Sequence, residues 1–589
     1  MTGVKTLNLT STIGTSTGTL TDVSAARVAN IVAGSNIATL NVTTISSGTG
    51  GTVIINGGAA DVALNMVATA ETYDVTLGAA ATLNLSGAVA GGTDAVTMRI
   101  SGNATYRGDA DAGAAADVEA LTINNSSATK ATTVTAAGTA ANDFVNAASG
   151  NAVVVLGTQD MVILGDADVF DGINISKGAG FTKSLTVRTN TAGAAALDYN
   201  EITADVIDVT TVATGNNVTI NENSTLLLSI NNAGATYNID NVSGTLAVDG
   251  TLKVQTATGQ TGDFITGANV ATVSFTTTGT GAQTFAEIST NADTNTVVFG
   301  GSNAITVTTF DGNGDETISA TGLTGALNMT TFDGAVTVLG GSGNDVITQS
   351  NNSALLARGG DGNDTLTSNA TASTLIGENG RDTLVGGAGV DTLIGGEGAD
   401  TITSNASADT INLTESTAAS DTLVQTGGAA TADVITGFGL EDLVQLDLSD
   451  IEALAVDLVA AGNAATSLVA GQTMIKTAAI TGAYDLGSAP TATILVVSGA
   501  FATSSDLLTA LATGGTRALT ANGELAIGDE FLVLYSDGTD GYLTAVEVGT
   551  AAVADNATLV LANLTNNVMA RFVGLDPTTL DGSNFAIIA

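Results

Sequence analysis

The sequence predicts an all-β protein: a long irregular parallel β-solenoid, then a β-roll, then a β-rich C-terminal domain. Three observations predict it. Between Gly340 and Asp409 a nine-residue pattern of glycine, aspartate and a large aliphatic residue recurs. Upstream, short segments alternate apolar residues with Thr or Asn, the period of a strand with one buried face. The composition, with 72 glycines, 2 prolines and 4% aromatics in 589 residues, suits a thin solenoid whose coils hold few side chains each.

Residues 1–330 read as the irregular solenoid. Thr6-Leu7-Asn8-Leu9-Thr10 recurs as Thr39-Leu40-Asn41-Val42-Thr43 and as Thr82-Leu83-Asn84-Leu85-Ser86, with relatives at Leu121-Thr122-Ile123-Asn124 and Val218-Thr219-Ile220-Asn221. Gly, Ala, Asn and Ser clusters separate them at intervals too variable for one repeat length. Stacked parallel strands with Asn and Thr ladders along the axis fit this pattern, with an antiparallel sandwich as the alternative. Three acidic turns are candidate cation loops: Asp311 to Ile318, the best of them, where Glu316 takes the aspartate position of a degenerate nonapeptide, and Gly108-Asp109-Ala110-Asp111 and Gly165-Asp166-Ala167-Asp168, for which a solvated loop is the favoured reading.

Residues 331–415 carry the repeats. Copies starting at Gly340, Gly359, Gly386 and Gly395 fit G-G-x-G-x-D-x-U-x in full, and one starting at Gly377 has Glu378 at the second glycine. This is the pattern of calcium-binding parallel β-helices. Glycine lets the backbone turn with φ > 0 and brings carbonyl oxygens together, aspartate adds a carboxylate, and the aliphatic residue opens an inward-facing strand. Calcium takes about six to eight oxygens, which two stacked turns can supply. The candidate metal residues are Gly341, Gly343 and Asp345; Gly360, Gly362 and Asp364; Gly380 and Asp382; Gly387, Gly389 and Asp391; Gly396, Gly398 and Asp400; and Asp409.

Register adds to the motif. With two nonapeptides per coil, Asp364, Asp382 and Asp400 keep an eighteen-residue interval on one edge, and Asp345 joins them after one inserted residue. On the opposite edge Asp391 has the glycine turn, but Ser368 to Ser373 and Ser404 to Asp409 contain none. We therefore expect metal between the turns of Asp345, Asp364, Asp382 and Asp400, and a weaker or absent site near Asp391 and Asp409. A glycine-rich solenoid without metal is the alternative.

Residues 416–589 read as the β-rich C-terminal domain. Asp433 to Ser449 alternates like a strand pair around Gly437-Phe438-Gly439. Ser449 and Glu452 predict a capped helix to about Ala461, and Ser504 predicts the cap of a second helix, Ser505 to Ala512, ended by Gly514. Strands are expected at Ile494 to Val497 and Phe531 to Tyr535.

The formal net charge is −43, from 57 acidic and 14 basic residues. Nucleic acid is disfavoured as a partner, since that binding needs clustered Lys and Arg. Acidic surfaces repel, so divalent cations would both order the turns and ease close packing of copies. With no cysteine and no histidine, disulfides, thiol nucleophiles, imidazole bases and Cys/His zinc sites are excluded. No apolar run reaches the length of a membrane-spanning helix, and Met1-Thr2-Gly3-Val4-Lys5 does not open a signal peptide. The expectation is export by a route that does not read the N-terminus, or a chain whose true start is missing.

The nonapeptides, the Asp433 to Ser449 stretch and the apolar end Asn584 to Ala589 resemble the repeats-in-toxin (RTX) proteins of Gram-negative bacteria. The resemblance implies type I secretion through an uncleaved C-terminal signal and a β-roll that folds on meeting extracellular calcium. Within that family the Thr/Ala/Gly/Val-rich solenoid is most similar to bacterial surface-layer proteins. That implies a calcium-dependent two-dimensional lattice of the chain with itself on the cell surface, with attachment to lipopolysaccharide through an anchor not visible here. An RTX adhesin or glycan-binding biofilm matrix protein is the alternative. Catalysis is not expected: no His is present, H-E-x-x-H is absent, and paired acid/base groups for polysaccharide cleavage are hard to assemble from so few Lys, Arg and Tyr.

Overall fold

Alternating apolar and Thr/Asn residues become strands with one buried face. In Thr82–Ser86, Leu83 and Leu85 are buried while Thr82, Asn84 and Ser86 are half-exposed. The computed structural model divides the chain into two units, Met1–Asn303 and Ala304–Ala589. In the first it describes residues 7–9, 16–23, 30–34, 36–44, 52–65, 72–86, 95–107, 120–137, 152–170, 172–190, 197–199, 201–210, 217–220, 224–228, 236–240, 251–258, 261–266, 270–290 and 294–303. In the second it describes 304–312, 314, 316–330, 332, 336–369, 371–425, 432–447, 457–458, 475–476, 480–485, 493–521, 525, 527, 529–554, 557–580 and 582–588.

The first unit is a parallel β-solenoid. Alternate strands stack into separate sheets, so that Leu7↔Ile31, Ile31↔Ile55, Ile55↔Val75, Val75↔Met98 and Met98↔Ile123 stand in one column. Ile31, Ile55, Val75, Met98 and Ile123 are all fully buried. A second column runs Leu40, Val62, Leu83, Tyr106. Each coil thus supplies at most about three large side chains per sheet, which explains why so few aromatics suffice. The interior also holds an aromatic cluster in which the Phe275 ring lies 4.8 Å from Phe264, 5.0 Å from Phe285 and 5.5 Å from Phe299.

Charged pairs tie neighbouring coils: Arg99 to Asp74 (2.8 Å), Lys177 to Asp205 (2.9 Å) and Arg188 to Asp208 (2.6 Å). The turn at Gly165 to Asp168 has a structural role, since Asp166 Oδ1 accepts the Asp168 amide (3.2 Å) at the start of a 3-10 turn, Ala167–Phe170. Gly108 to Asp111 lies outside the described residues.

In the second unit the coils become regular. One sheet stacks Val336–Leu339, Leu355–Asp361, Thr374–Asn379, Thr392–Glu397, Thr410–Asn412 and Asp433–Thr436, all parallel. The facing sheet stacks Leu327–Met329, Val346–Thr348, Thr365–Thr367, Thr383–Val385, Thr401–Thr403, Thr422–Gln425 and Leu443–Asp447. Its interior column, Ile347, Leu366, Leu384, Ile402, Leu423 and Val444, is fully buried. The first four of these are the large aliphatic positions of nonapeptides; Leu423 and Val444 continue the column beyond them.

The chain then leaves the roll and returns to it. Leu564–Phe572 joins the first sheet beside Asp433–Thr436, and Phe585–Ile588 joins the second beside Leu443–Asp447. Between them is a lobe with its own core, including Leu495, Leu507, Leu511, Phe531 and Val546. Its strands Asp529–Ser536, Gly541–Val548 and Leu564–Phe572 run antiparallel, and Thr493–Ala500 lies parallel to the first.

Two helix expectations need correction. The described part of Ser449 to Ala461, Asp457–Leu458, is a strand paired with Asp529–Glu530; the remainder lies outside the described residues. The second helix spans Ser504–Leu511, and its cap is Thr503 rather than Ser504. Thr503 Oγ1 accepts the Asp506 amide and the Asp506 carboxylate accepts the Thr503 amide, a reciprocal box the sequence equally encodes one residue earlier. Among the described residues no helix is long and apolar enough to cross a membrane.

The Phe275 ring sits at the centre of its cluster and is 1% exposed. Phe275→Ala should destabilise the first unit by about 3–5 kcal/mol, read as a shifted denaturation midpoint. A loss below about 1 kcal/mol would show that the cluster does not hold the coils.

Candidate metal centre

The turns that join the two sheets stack along two edges. On the first edge, Asp345, Asp364, Asp382 and Asp400 stand directly above one another at the start of successive strands. Each carboxylate ties its coil to the one before. Leu327 N–H donates to Asp345 Oδ1 (2.7 Å), Asp345 N–H to Asp364 Oδ1 (2.7 Å), Asp364 N–H to Asp382 Oδ1 (2.7 Å) and Asp382 N–H to Asp400 Oδ1 (2.8 Å). A parallel row of asparagines follows, with Asn363 N–H donating to Asn344 Oδ1 and Arg381 N–H to Asn363 Oδ1, both 2.9 Å.

The aspartate row extends beyond the repeats. Asp400 N–H donates to Asp421 Oδ1 and Asp421 N–H to Asp442 Oδ1, both 2.9 Å. On the second edge, Ser373 N–H donates to Asp391 Oδ1 (2.7 Å), Asp391 N–H to Asp409 Oδ1 (2.7 Å) and Asp409 N–H to Asp433 Oδ1 (2.8 Å). Asp421, Asp433 and Asp442 are absent from the residues chosen on sequence. Their signal is an aspartate directly before an apolar strand, as in Asp421-Thr422-Leu423 and Asp433-Val434-Ile435. It is hidden by steps of 21, 21 and 24 residues where the repeats step by 18.

The second carboxylate oxygens divide these residues. Asp345 Oδ2 and Asp391 Oδ2 accept the Gly341 and Gly387 amides of their own turns (both 2.8 Å), and Asp442 Oδ2 accepts that of Gly439 (2.7 Å). Oδ2 of Asp364, Asp382, Asp400 and Asp409 is buried and accepts no hydrogen bond.

The glycines stand where nothing larger fits. A Cβ on Gly386 would lie 2.9 Å from Asp391 Oδ2 and 2.8 Å from Ser404 O, and one on Gly395 would lie 2.5 Å from Asp400 Oδ2. On Gly359 and Gly377 it would run into Asp364 Oδ2 and Asp382 Oδ2, with the carbonyl of the next coil's first glycine beside each. Gly341, Gly343, Gly360, Gly362, Gly380, Gly387, Gly389, Gly396 and Gly398 instead turn their backs on the backbone of the preceding coil. Of these, Gly360, Gly362, Gly380, Gly396 and Gly398 adopt positive φ; at the other four, close approach alone requires glycine. Glu378 takes the glycine position at φ 78°, its carboxylate paired with Arg358 (2.6 Å).

The second edge closes differently. Asn369 Nδ2 donates to Ser350 O (3.0 Å), Thr371 Oγ1 to Asn352 O, Asn405 Nδ2 to Gly386 O and Ser407 Oγ to Ala388 O (2.8 Å). Side-chain donors there cap carbonyl oxygens one coil back. Glu316 falls in the same register as Ser373 and Asp391; it is 2% exposed and accepts the Gly314 amide (2.9 Å).

Burial holds these carboxyls well above their usual range. It pushes Asp364, Asp400, Asp409 and Asp421 up to about 7, with neighbouring carboxylates adding to the effect, and Asp382 up to about 6. Asp345, Asp391, Asp433 and Asp442 rise for the same reason, opposed by the amides they accept. A buried anion whose second oxygen has no donor fits a hard cation. Among the described residues no three carboxylates converge, so most ligands to such a cation would be backbone carbonyls. With only oxygen donors, calcium suits the turns and soft metals do not.

The model of the RTX calcium-binding nonapeptide repeat matches the chain at residues 333–348, 358–393 and 386–414. Comparison with curated proteins gives no match. The chain is thus a β-solenoid carrying RTX repeats whose aspartates form stacked rows.

Two outcomes follow. A Cβ at Gly380, where φ is 138°, would overlap Gly362 O, whereas Glu378 already sits in the left-handed region. Gly380→Ala should destabilise the roll by at least about 2 kcal/mol in calcium, while Glu378→Gly changes it by less than about 1 kcal/mol. Equal denaturation midpoints for the two variants would refute the stacking account.

The second concerns pH. Because the folded carboxyls titrate above their unfolded counterparts, the folded chain holds more protons between about pH 4 and 7. Stability of the metal-free roll should be full below that window and fall as pH rises through it, while calcium affinity rises over the same interval. Urea denaturation in EGTA and calcium titration at pH 5, 6, 7 and 8 read both; metal-free stability that climbs with pH would contradict it.

Proposed function

We propose that this chain is a secreted, non-catalytic structural subunit of a Gram-negative surface layer. In this reading calcium makes its roll rigid and lets copies tile into a two-dimensional lattice, held to the cell by lipopolysaccharide. The observation that carries the proposal is a row of buried aspartates with donor-free oxygens inside a chain of net charge −43. The RTX match supports calcium as the ion and export as the setting. Calcium would fold the turns and lower the repulsion between acidic copies in one step. The stacked coils suit a rigid tile, since their stiffness comes from continuous parallel ladders rather than from a thick core.

Light scattering and electron microscopy of the full chain, with millimolar calcium and then EGTA, test the assembly. Calcium should produce ordered sheets that EGTA dissolves. A chain that stays monomeric in millimolar calcium overturns the lattice role while leaving the roll's ion chemistry intact.

A further inference from the structure

Where the matched repeats end, the second edge holds a buried group of oxygens that reaches past residue 414 and that the nonapeptide pattern does not describe. Ser404 stands at the first turn position, in register with Gly386 one coil earlier and Gln425 one coil later. Asp409 and Asp433 stand at the last turn position of the same two coils. At Gly386 that pair of positions brings a notional Cβ to 2.9 Å from Asp391 Oδ2, so the real Cβ of Ser404 directs its hydroxyl toward the Asp409 and Asp433 carboxylates. Gln425 Nε2 donates to Asp433 Oδ2 (2.9 Å) and the Asp409 amide donates to Asp433 Oδ1 (2.8 Å), while Ser404 Oγ is buried with no hydrogen-bond partner.

What this group lacks is positive charge. Ser404, Asp409, Asp433 and Gln425 are 0%, 0%, 1% and 6% exposed. Among the described residues no Lys or Arg pairs with either carboxylate. Asp409 Oδ2 and Gln425 Oε1 are buried without a donor. Two buried carboxylates must be protonated, paired or bound to a metal, because an isolated buried charge is too costly to keep. Two carboxylates, a hydroxyl and an amide oxygen form a hard donor set that favours calcium over softer ions.

We infer that Ser404, Asp409, Gln425 and Asp433 form a further divalent-cation site, at which side-chain oxygens of Ser404 and Gln425 stand where the repeats present bare glycine. It closes the second edge at the point where the Asn and Ser caps of the preceding coils end. The inference does not depend on lattice assembly.

The test is the number of calcium ions retained by the full chain after gel filtration at low free calcium, read by elemental analysis. Asp409→Asn/Asp433→Asn keeps both Oδ1 acceptors, so the backbone ties survive. It should retain one ion fewer than the unsubstituted chain, with an unchanged β-sheet circular dichroism spectrum. The same number of ions in a folded double variant overturns the site, as does a metal-free double variant that is more stable with no change in ion count, the mark of a buried water cluster. If the double variant does not fold, Gln425→Met decides: at least ten-fold weaker binding of one ion supports the site, and an unchanged calcium isotherm overturns it.

Discussion

Each coil of the roll is tied to the next by a backbone amide that donates to an aspartate carboxylate, and that tie brings like charges into line one coil apart. At the strand spacing of roughly 4.8 Å, two unit charges repel by about 3 kcal/mol at an effective dielectric of about 20. A hydrogen bond to a charged group returns about 1.5–3 kcal/mol. The ties therefore offset nearest-neighbour repulsion and leave desolvation uncompensated. A divalent cation between coils replaces that repulsion with attraction from both carboxylates. The same oxygens that make the roll costly without an ion make it selective for a hard one.

The two edges resolve this in different ways. On the first, glycine at each turn corner brings the neighbouring coil's carbonyl and carboxylate together, and Oδ2 of Asp364, Asp382 and Asp400 is left free of donors. On the second, Asn369, Thr371, Asn405 and Ser407 donate to carbonyls one coil back. An amide or hydroxyl donor is neutral and permanently attached, so those contacts do not vary with the ion supply. The first edge thus carries three of the four donor-free aspartate oxygens, and it shares every strand with an edge held mainly by neutral caps as far as Asp409.

Much of this was legible in the sequence because stacking converts interval into position. Counting eighteen residues places Asp364, Asp382 and Asp400 on one edge and Asp391 and Asp409 on the other, as the strand register has them. The parallel solenoid followed from the Thr-Leu-Asn-Leu segments by the same logic. Counting fails at Asp421, Asp433 and Asp442, where longer turns change the interval while the ladder geometry persists. Helix capping at Thr503 was missed for another reason: Asp506 three residues on closes a reciprocal box with Thr503, whereas Ser504 has Leu507 at that position. The free second oxygens of Asp364 and Asp409 have no sequence signal at all; they depend on whether the amide of the residue's own turn points inward.

The return of the chain to the roll sets how the unit can fold. Asn584 Nδ2 donates to Leu440 O (3.0 Å) and to Asp442 O (2.8 Å), the latter across 142 residues of sequence. Phe585 beside it is buried and pairs with Val444. The repeats form mostly by joining coils some eighteen residues apart, a short closure repeated many times, whereas this last rung requires the lobe between Asp447 and Leu564 to bring two distant strands together. Loop-closure entropy makes that the slow contact, and local coils the fast ones. The carboxylate row ends at Asp442, against a rung that arrives late. Ions bound between the earlier coils would therefore stabilise the edge on which Phe585–Ile588 docks, which would couple the far end of the roll to the chemistry of its middle.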